Sequence, residues 1–257
     1  MKELLTVAEK AARDAGALLM ENFRKIYTIE RKADQSLVTD IDKRSEKLII
    51  DRIVSAWPSH TIIGEESGKT DTNGEYCWVI DPIDGTHNYI RGMKNFGVSI
   101  GILRRKEFVA GVIYLPCDDI LYCAEKGAGA FINGLPLKVS NVDNPAECTL
   151  LFDSGFKTGY NEKIDVFKKV APQMFNVRIF GASVRNLTYV ADGVADVLLE
   201  FDDNLWDYAA GITIVTEAGG KVTDLDGKEL TPESRNYIAS NKAVHESMLQ
   251  MVNACRK

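Results

Sequence analysis

The sequence predicts a layered α/β sandwich, in which two opening helices cover a large, mainly antiparallel sheet and a smaller α/β half packs against them. Three observations predict this fold. The first residues show helical periodicity, residues 61–139 contain short β-branched and aromatic runs, and strands alternate with helices after Cys148. Alternation of this kind is typical of α/β layers.

The 257 residues allow one large domain or two closely packed ones, since a domain contains about 100 to 200 residues. Apolar residues make up 45% of the chain and charged residues 26%, which is ordinary for a globular protein. With 20 Gly and 7 Pro, the composition excludes a disordered or collagen-like chain.

Two amphipathic helices are predicted first. Apolar residues of the first recur at a 4-3-4-3 spacing and form one stripe: Leu4, Ala8, Ala11, Ala15 and Leu18. The second should begin near Thr39, because Thr39 and Asp42 fit a capping box. Its apolar face contains Ile41, Leu48, Ile49 and Ile53.

Short strands separated by Gly, Asp and Asn follow, at 61–63, 76–80, 98–103, 108–115, 120–124 and 130–132. The second half should have strands at 149–153, 177–180, 195–201, 221–223 and 237–239, with helices at 162–170, 184–192, 206–218 and after residue 241. No repeat or Pro/Ser-rich linker separates the halves. We therefore expect residues 1–145 and 146–257 to form two halves of one compact unit.

Charge and cysteine usage exclude several classes of protein. The net charge is −6 and the isoelectric point is near 5.3, so nucleic acid is not an expected partner. No apolar run approaches the roughly 20 residues that span a bilayer, and the N-terminus lacks the pattern of a signal peptide, so we expect a cytoplasmic protein without membrane contact. Five cysteines without a C-x-x-C pattern indicate reduced thiols. Three scattered histidines leave metal chemistry to oxygen ligands.

The segment 78–86, Trp-Val-Ile-Asp-Pro-Ile-Asp-Gly-Thr, is an apolar strand that leads into two aspartates. A Pro-fixed turn would aim the carboxylates of Asp81 and Asp84 and the carbonyl of Ile83 at one cation. Gly85 and Thr86 could then open a helix whose N–H groups bind phosphate. The alternative is an ordinary turn, in which an aspartate only caps the helix.

Two further segments carry acids at the ends of apolar elements. Glu65 and Glu66 follow a short strand in residues 62–67, and Asp207 lies at the start of an apolar helix in residues 205–211. The glutamates could instead belong to a solvated loop, and Asp207 could be a helix N-terminal charge. Three apolar elements that each carry acids at one end together favour a common metal site.

These segments resemble the inositol monophosphatase family of Mg²⁺-dependent, lithium-sensitive phosphatases. The resemblance rests on G-E-E-S at 64–67, D-P-I-D-G-T at 81–86 and W-D-Y-A-A-G at 206–211, and it extends to 127–134 and 216–220. It implies a sandwich of the sugar-phosphatase type. The metal and phosphate motif would lie in the first half, and Asp207 and the substrate contacts in the second.

The resemblance implies that Glu65, Asp81 and the Ile83 carbonyl hold one Mg²⁺. A second would be held by Asp81, Asp84 and Asp207, and Glu65 would face a weaker third ion. Two ions would balance the −4 charge of the four carboxylates.

The nucleophile should be water, because no Ser, Cys or His lies in a recognisable nucleophile motif. The resemblance implies that Thr86 and Asp42 orient and deprotonate this water, with Glu66 beside the metal ligands rather than among them. Asp42 has an equally good interpretation as a helix cap, and both roles are compatible. The resemblance implies that the backbone N–H groups of Gly85 and Thr86 bind the phosphate.

For the substrate, the resemblance implies contacts from Asp84, Ser183 and Glu200, with Glu200 on the hydroxyls of a polyol. The alternative for Glu200 is a solvent-facing charge. His87 and Asp40 depart from the family pattern, and their roles stay open. Lys32 matches a basic residue that helps to hold a metal, while Arg185 could meet a second phosphate or form a surface ion pair.

The expected function is hydrolysis of a phosphate monoester of a small polyol, with inositol monophosphate first. Fructose-1,6-bisphosphatase, alone or as a second activity, is the nearest alternative. A nucleotide 3'-phosphatase and a partner-binding relative without catalysis come after it. A homodimer is common among family members and is expected here.

Overall fold

The computed structural model describes residues 1–25, 27–33, 35–70, 72, 74–157 and 159–256. The helices within these residues are α1 (Lys2–Asn22), α2 (Asp40–Ala56), α3 (Thr86–Ile90), α4 (Tyr160–Val170), α5 (Ser183–Ala191), α6 (Leu205–Glu217) and α7 (His245–Asn253). The strands of the first half are β1 (Ile29–Arg31), β2 (Leu37–Thr39), β3 (Thr61–Gly64), β4 (Gly68–Thr70), β5 (Tyr76–Asp84), β6 (Gly97–Arg104), β7 (Glu107–Leu115), β8 (Ile120–Glu125), β9 (Gly129–Ile132) and β10 (Leu135–Pro136). Those of the second half are β11 (Thr149–Phe152), β12 (Asn176–Arg178), β13 (Val197–Glu200), β14 (Gly220–Thr223) and β15 (Tyr237–Asn241).

The elements stack in five layers. One hydrophobic cluster joins α1 and α2 to an eight-stranded sheet, and a second joins the opposite face of that sheet to α5 and α6. The same helices contact a five-stranded sheet, whose far face packs on α4 and α7. The predicted layered α/β sandwich is confirmed.

The five-stranded sheet is apolar on both faces because helices cover both. Leu150 and Phe152 of β11 point to the α4–α7 side, whereas Leu151 between them points to α5 and α6. The alternation follows from the two-residue period of a strand. Continuous apolar runs in β11 and β13 are therefore buried on both sides of the sheet.

The order of the large sheet, β10-β9-β8-β7-β6-β5-β3-β4, brings two acid-bearing segments together. Adjacent strands of this sheet pair antiparallel, except β3 and β5, which run parallel with Gly64 opposite Ile80. Since parallel strands end at the same edge, Glu65 and Asp81 emerge side by side. The backbone N–H of Glu65 donates to the Ile80 carbonyl at 3.1 Å.

The largest local difference from the sequence prediction lies at residues 81–84. The predicted turn lies inside β5 and not after it: the register shifts between Asp81 and Asp84, and the Ile83 N–H donates to Oδ1 of Asp81 at 3.0 Å, as in an Asx turn. The irregularity accommodates Pro82, which has no N–H to donate to the ladder. The expected helix after Gly85 is present as α3.

The sequence did not predict β1, β2, β4 and β10. Three of these are exposed along their length, and a strand without a buried face has no apolar alternation. The division near residue 145 stays a prediction, since α5 and α6 contact both sheets. None of the helices in the described part of the chain has the length and apolarity needed to cross a bilayer.

We predict that His245 makes the stability of the fold depend on pH. The ring is fully buried, with Nε2 2.9 Å from the Thr223 hydroxyl and Nδ1 2.8 Å from that of Ser240. Burial and the charge of Lys221 lower the pKa of His245 from 6.5 to about 4. The neutral ring thus contributes stability above pH 6.5, and this contribution is lost as the pH falls toward 4.

Urea unfolding of the wild type and of His245→Gln between pH 4.5 and 8 measures this contribution. The wild type should exceed the variant in free energy of unfolding at pH 8, and the difference should shrink as the pH falls. His87→Gln, at an exposed position, is the control and should show no such trend. A difference that stays constant with pH would contradict the prediction.

Candidate active site

Four carboxylates converge where β3 and β5 end against the start of α6. Asp81, Asp84 and Asp207 each offer a carboxylate oxygen, and these three oxygens lie within 4.8 Å of one another. Asp81 and Asp84 are only 2% and 7% exposed. The carboxyl group of Glu65 adjoins that of Asp81. The structure therefore brings together the four acids that the sequence predicted as metal ligands.

Backbone N–H groups hold the acids in position. The Val184 N–H, in the first turn of α5, donates to Oδ2 of Asp84 at 2.6 Å. The Asn204 N–H, at the N-terminus of α6, donates to Oδ2 of Asp207 at 2.6 Å, as in a capping box. Asp207 is thus both a helix-capping residue and a member of the cluster, so the two alternatives for this residue coincide.

Burial makes the ionised cluster costly. Desolvation, together with neighbouring acids, raises the pKa of Glu65, Asp84 and Asp207 to about 7. The same two causes raise the pKa of Asp81 well above its usual range. Two like charges about 4 Å apart repel by roughly 4 kcal/mol at an effective dielectric constant near 20. A bound cation would relieve this repulsion, and an all-oxygen donor set fits a hard divalent ion.

A lysine supplies one positive charge to the cluster. Lys32, in the connection between β1 and β2, places its Nζ 2.8 Å from Oε1 of Glu65 and 2.6 Å from Oε1 of Glu66. Partial burial acts to lower the pKa of Lys32, but the two carboxylates outweigh it and raise that pKa. Lys32 therefore lies beside Glu65, which the sequence predicts to be a metal ligand.

Thr86 and Asp42 lie next to each other beside the cluster. The Thr86 hydroxyl is 3.0 Å from Oδ1 of Asp42 and 2.9 Å from the Ile83 carbonyl. The other Asp42 oxygen accepts from the Thr39 N–H at 2.7 Å and the Thr39 hydroxyl at 2.6 Å. Asp42 therefore caps α2 with one oxygen and contacts Thr86 with the other.

Gly85 shapes the turn between the acids and α3. Its φ of 83° lies in the left-handed region, and a Cβ atom there would lie 2.8 Å from the Asn95 carbonyl oxygen. Only glycine fits this position. The chain can then turn directly from Asp84 into the first turn of α3, where Thr86 begins the helix.

The second half supplies two of the residues predicted to contact substrate, Ser183 and Glu200. Ser183 begins α5, one residue before the N–H that binds Asp84. Glu200 ends β13, is 3% exposed, and accepts a hydrogen bond from Asn186 at 2.7 Å. Glu200 is therefore not the solvent-facing charge that the alternative proposed. Burial, then the charge of Asp153, raises its pKa well above the usual range.

Three further residues, His87, Asp40 and Arg185, take different positions. His87 is exposed on α3, and Asp40 accepts from the Thr28 N–H at 2.8 Å. Arg185 forms an ion pair with Asp118 at 2.5 Å, which favours the ion-pair alternative over a second phosphate. The pair is not at the surface as expected, since Arg185 is only 5% exposed.

Sequence reasoning missed Glu46, which is 2% exposed on α2. Its carboxylate accepts from the backbone N–H groups of Glu66 and Ser67 at 2.9 and 2.7 Å. It thereby fixes the loop that carries Glu65. The available signal was its spacing, since Glu46 follows Asp42 by four residues and lies on the same face of the helix.

Comparisons with known proteins find relatives along the whole chain. The family model described as Inositol monophosphatase family matches residues 1–257. A "Fructose-1,6-bisphosphatase/inositol-1-monophosphatase" of Aquifex aeolicus is 38% identical over 255 residues, 98% of this chain and 96% of that protein. "Inositol-1-monophosphatase" of Bacillus subtilis is 35% identical and covers 99% and 98%. "Nus factor SuhB" of Escherichia coli is 36% identical and covers 97% and 95%.

Solved structures agree as well. An IMPase of Thermotoga maritima superposes with a TM-score of 0.92 at 33% identity, over 100% of this chain and 98% of that chain. An inositol monophosphatase of Anabaena gives a TM-score of 0.89 at 32% identity, over 98% and 96%. The likeness therefore covers the whole fold, including both sheets.

We predict that a divalent cation stabilises the protein through this cluster. At ten times its dissociation constant, an ion that binds only the folded state adds about 1.4 kcal/mol to the free energy of unfolding. Asp84→Asn should lose most of that gain, while its amide oxygen can still accept from Val184. Without divalent ions, the variant should melt at the wild-type temperature or above, because one buried like charge is gone.

Thermal unfolding in increasing MgCl₂, after treatment with a chelator, measures both effects. Asp51→Asn is the matched control, because Asp51 is exposed on α2 and should leave the Mg²⁺ response unchanged. An Asp84→Asn variant that gains as much from Mg²⁺ as the wild type would remove Asp84 from the metal site.

Proposed function

Because the chain belongs to the inositol monophosphatase family of phosphatases, we propose that it hydrolyses the phosphate monoester of a small polyol, with inositol monophosphate as the first substrate. The observation that carries this proposal is the cluster of Asp81, Asp84 and the partly buried Asp207 next to the Gly85–Thr86 turn. Such a cluster suits cations that stabilise negative charge on a phosphate.

The proposed cofactor is Mg²⁺, with two ions and a weaker third. Glu65, Asp81 and the Ile83 carbonyl would hold the first ion, and Asp81, Asp84 and Asp207 the second. Glu65 would also face the third. Bound Mg²⁺ supplies positive charge to the phosphate and lowers the pKa of the attacking water.

The protein's own groups have separate proposed tasks. The backbone N–H groups of Gly85 and Thr86 bind phosphate oxygens, since they lie at the start of a helix. The Thr86 hydroxyl orients the attacking water. Asp42, whose Oδ1 lies 3.0 Å from that hydroxyl, takes the proton that the water loses. Burial raises the pKa of Asp42, although hydrogen bonds from Thr39 oppose the shift, and a raised pKa makes the carboxylate a stronger base. Glu66 supports the site through Lys32.

The substrate's polyol would contact Asp84, Ser183 and Glu200. Glu200 is proposed to accept hydrogen bonds from ring hydroxyls, and such contacts orient the non-reacting part of the substrate. We also propose that the enzyme is a cytoplasmic homodimer. Light scattering of the purified protein tests the oligomeric state.

Fructose-1,6-bisphosphate is the second candidate substrate, because the name of the Aquifex aeolicus relative includes both activities. The name Nus factor SuhB of another relative keeps a partner-binding role among the alternatives. The complete set of buried carboxylates supports catalysis over an exclusively non-catalytic role. A nucleotide 3'-phosphatase is the remaining alternative.

Phosphate release from a small set of esters tests the proposal. Inositol 1-phosphate, fructose 1,6-bisphosphate and a nucleoside 3'-phosphate are each incubated with and without Mg²⁺. We expect Mg²⁺-dependent hydrolysis, fastest for inositol 1-phosphate, and inhibition by millimolar Li⁺. Hydrolysis in the presence of a chelator would contradict the metal-dependent mechanism, and no release from any ester would favour a binding role.

We predict that the two roles of Asp42 can be separated by mutation. Asp42→Asn should lower turnover by at least about a hundredfold, because the amide cannot take the proton of the water. Thr39→Ala removes the cap but leaves the carboxylate. It should lower the free energy of unfolding by about 0.5–2 kcal/mol and leave turnover in the wild-type range.

Steady-state kinetics and urea unfolding of the two variants provide the measurements. An equal loss of turnover in both would assign the effect of Asp42 to helix capping. Wild-type turnover in Asp42→Asn would show that another group takes the proton.

A further inference from the structure

An acid with no role assigned above lies on the polyol side of the site. Oδ2 of Asp203, just after β13, accepts a hydrogen bond from the Tyr237 hydroxyl at 2.9 Å and from the Ser183 hydroxyl at 3.3 Å. Tyr237 is fully buried, so its hydroxyl is a fixed donor. The side chain of Asp203 is therefore held between β15 and the start of α5, next to a proposed substrate contact.

Asp203 and Glu200 each keep one oxygen available to a ligand. Oε1 of Glu200 accepts from Asn186, and Oδ2 of Asp203 accepts from Tyr237 and Ser183. Among the described residues, none donates to the second oxygen of either carboxylate, and neither of these oxygens is fully enclosed. Glu200 itself is only 3% exposed, so its second oxygen has little contact with bulk solvent.

The two carboxylates also share an electrostatic environment. Burial, then the charge of Glu200, raises the pKa of Asp203 well above its usual range. Burial and a neighbouring acid raise the pKa of Glu200 in the same way. Hydrogen-bond donors on a ligand would stabilise this pair, and further negative charge on a ligand would destabilise it.

The nearest buried cation is already neutralised. Nζ of Lys163, whose side chain is 2% exposed, lies 2.6 Å from Asp153 and 3.5 Å from Asp202. It also donates to the Gly155 carbonyl at 2.6 Å. Lys163 therefore has no free side for a phosphate.

The remaining basic side chains do not outweigh the carboxylates on the polyol side of the site. Arg185 is paired with Asp118. Arg235 is exposed and donates to Oδ1 of Asn204 and to the Asp202 carbonyl. Acidic side chains on the polyol side therefore outnumber basic ones by four to two: Asp153, Glu200, Asp202 and Asp203 against Lys163 and Arg235.

We propose that Asp203 is a specificity-determining residue, which accepts a hydrogen bond from a polyol hydroxyl beside the one bound by Glu200 and repels a leaving group that carries a second phosphate. The inference rests on the proposed function and names its substrate class. That class is the monophosphates of hydroxyl-rich rings, in preference to sugar bisphosphates.

Relative catalytic efficiencies of the Mg²⁺-loaded enzyme and of Asp203→Asn test the proposal. The substrates are inositol 1-phosphate, fructose 1,6-bisphosphate and p-nitrophenyl phosphate, which has no ring hydroxyl. The amide oxygen of Asn can still accept from Tyr237, so the substitution removes charge with little change of shape. We expect the ratio of inositol 1-phosphate to p-nitrophenyl phosphate efficiency to fall about tenfold. The ratio of fructose 1,6-bisphosphate to p-nitrophenyl phosphate should rise.

Two further variants separate charge from structure. Tyr237→Phe removes the anchoring hydroxyl but leaves the Asp203 charge, and it should retain the wild-type preference for the monophosphate. Asp51→Asn removes an exposed aspartate on α2 and should match the wild type on all three substrates. A Tyr237→Phe variant that reproduces the effect of Asp203→Asn would assign a purely structural role to Asp203.

Other outcomes would contradict the role of Asp203 but leave the proposed phosphatase function intact. A wild-type enzyme that prefers fructose 1,6-bisphosphate, or an Asp203→Asn variant with unchanged ratios, would show that Asp203 does not select the substrate. Failure of the proposed function itself would look different, because the wild type would then release no phosphate from any of the three esters in Mg²⁺.

Discussion

Repulsion among buried carboxylates is the constraint on which the site depends. Asp81, Asp84 and Asp207 come from two distant segments of the chain, yet their oxygens lie within 4.8 Å of one another. Such an arrangement is stable only if other interactions hold the acids in place. The parallel β3–β5 pair fixes Glu65 and Asp81, and N–H groups of α5 and α6 hold Asp84 and Asp207. A bound cation would relieve the repulsion among the carboxylates, so this repulsion favours cation binding.

Helix starts recur throughout the site. Asp42 and Asp207 both occupy capping-box positions, Gly85 precedes α3, and Ser183 begins α5. A helix start offers unpaired N–H groups and a positive dipole end, which lower the cost of negative charge nearby. Residues that are favoured at the start of a helix are therefore also residues that suit this site. A capping role and a functional role are compatible.

Much of the fold and of the site could be predicted from sequence. Long periodic segments and the D-P-I-D-G-T segment carry local signals that do not depend on the rest of the chain. Strand β1 carries no such signal, because an exposed strand lacks apolar alternation. The roles of Glu46 and Asp203 depend on partners 20 and 34 residues away, Glu66 and Tyr237, which only the folded structure brings near. The burial of Arg185 likewise follows from packing.

The layer formed by α5 and α6 has a consequence for how the molecule unfolds. Its apolar residues complete the cores of both sheets, as Leu187 and Ile214 illustrate. Neither sheet can lose its partner without exposing that shared layer to water. Loss of either half would therefore remove apolar burial from the other, so the two halves should melt in one cooperative transition. A ligand bound at the edge of the first sheet would protect the amide protons of the second from exchange with solvent.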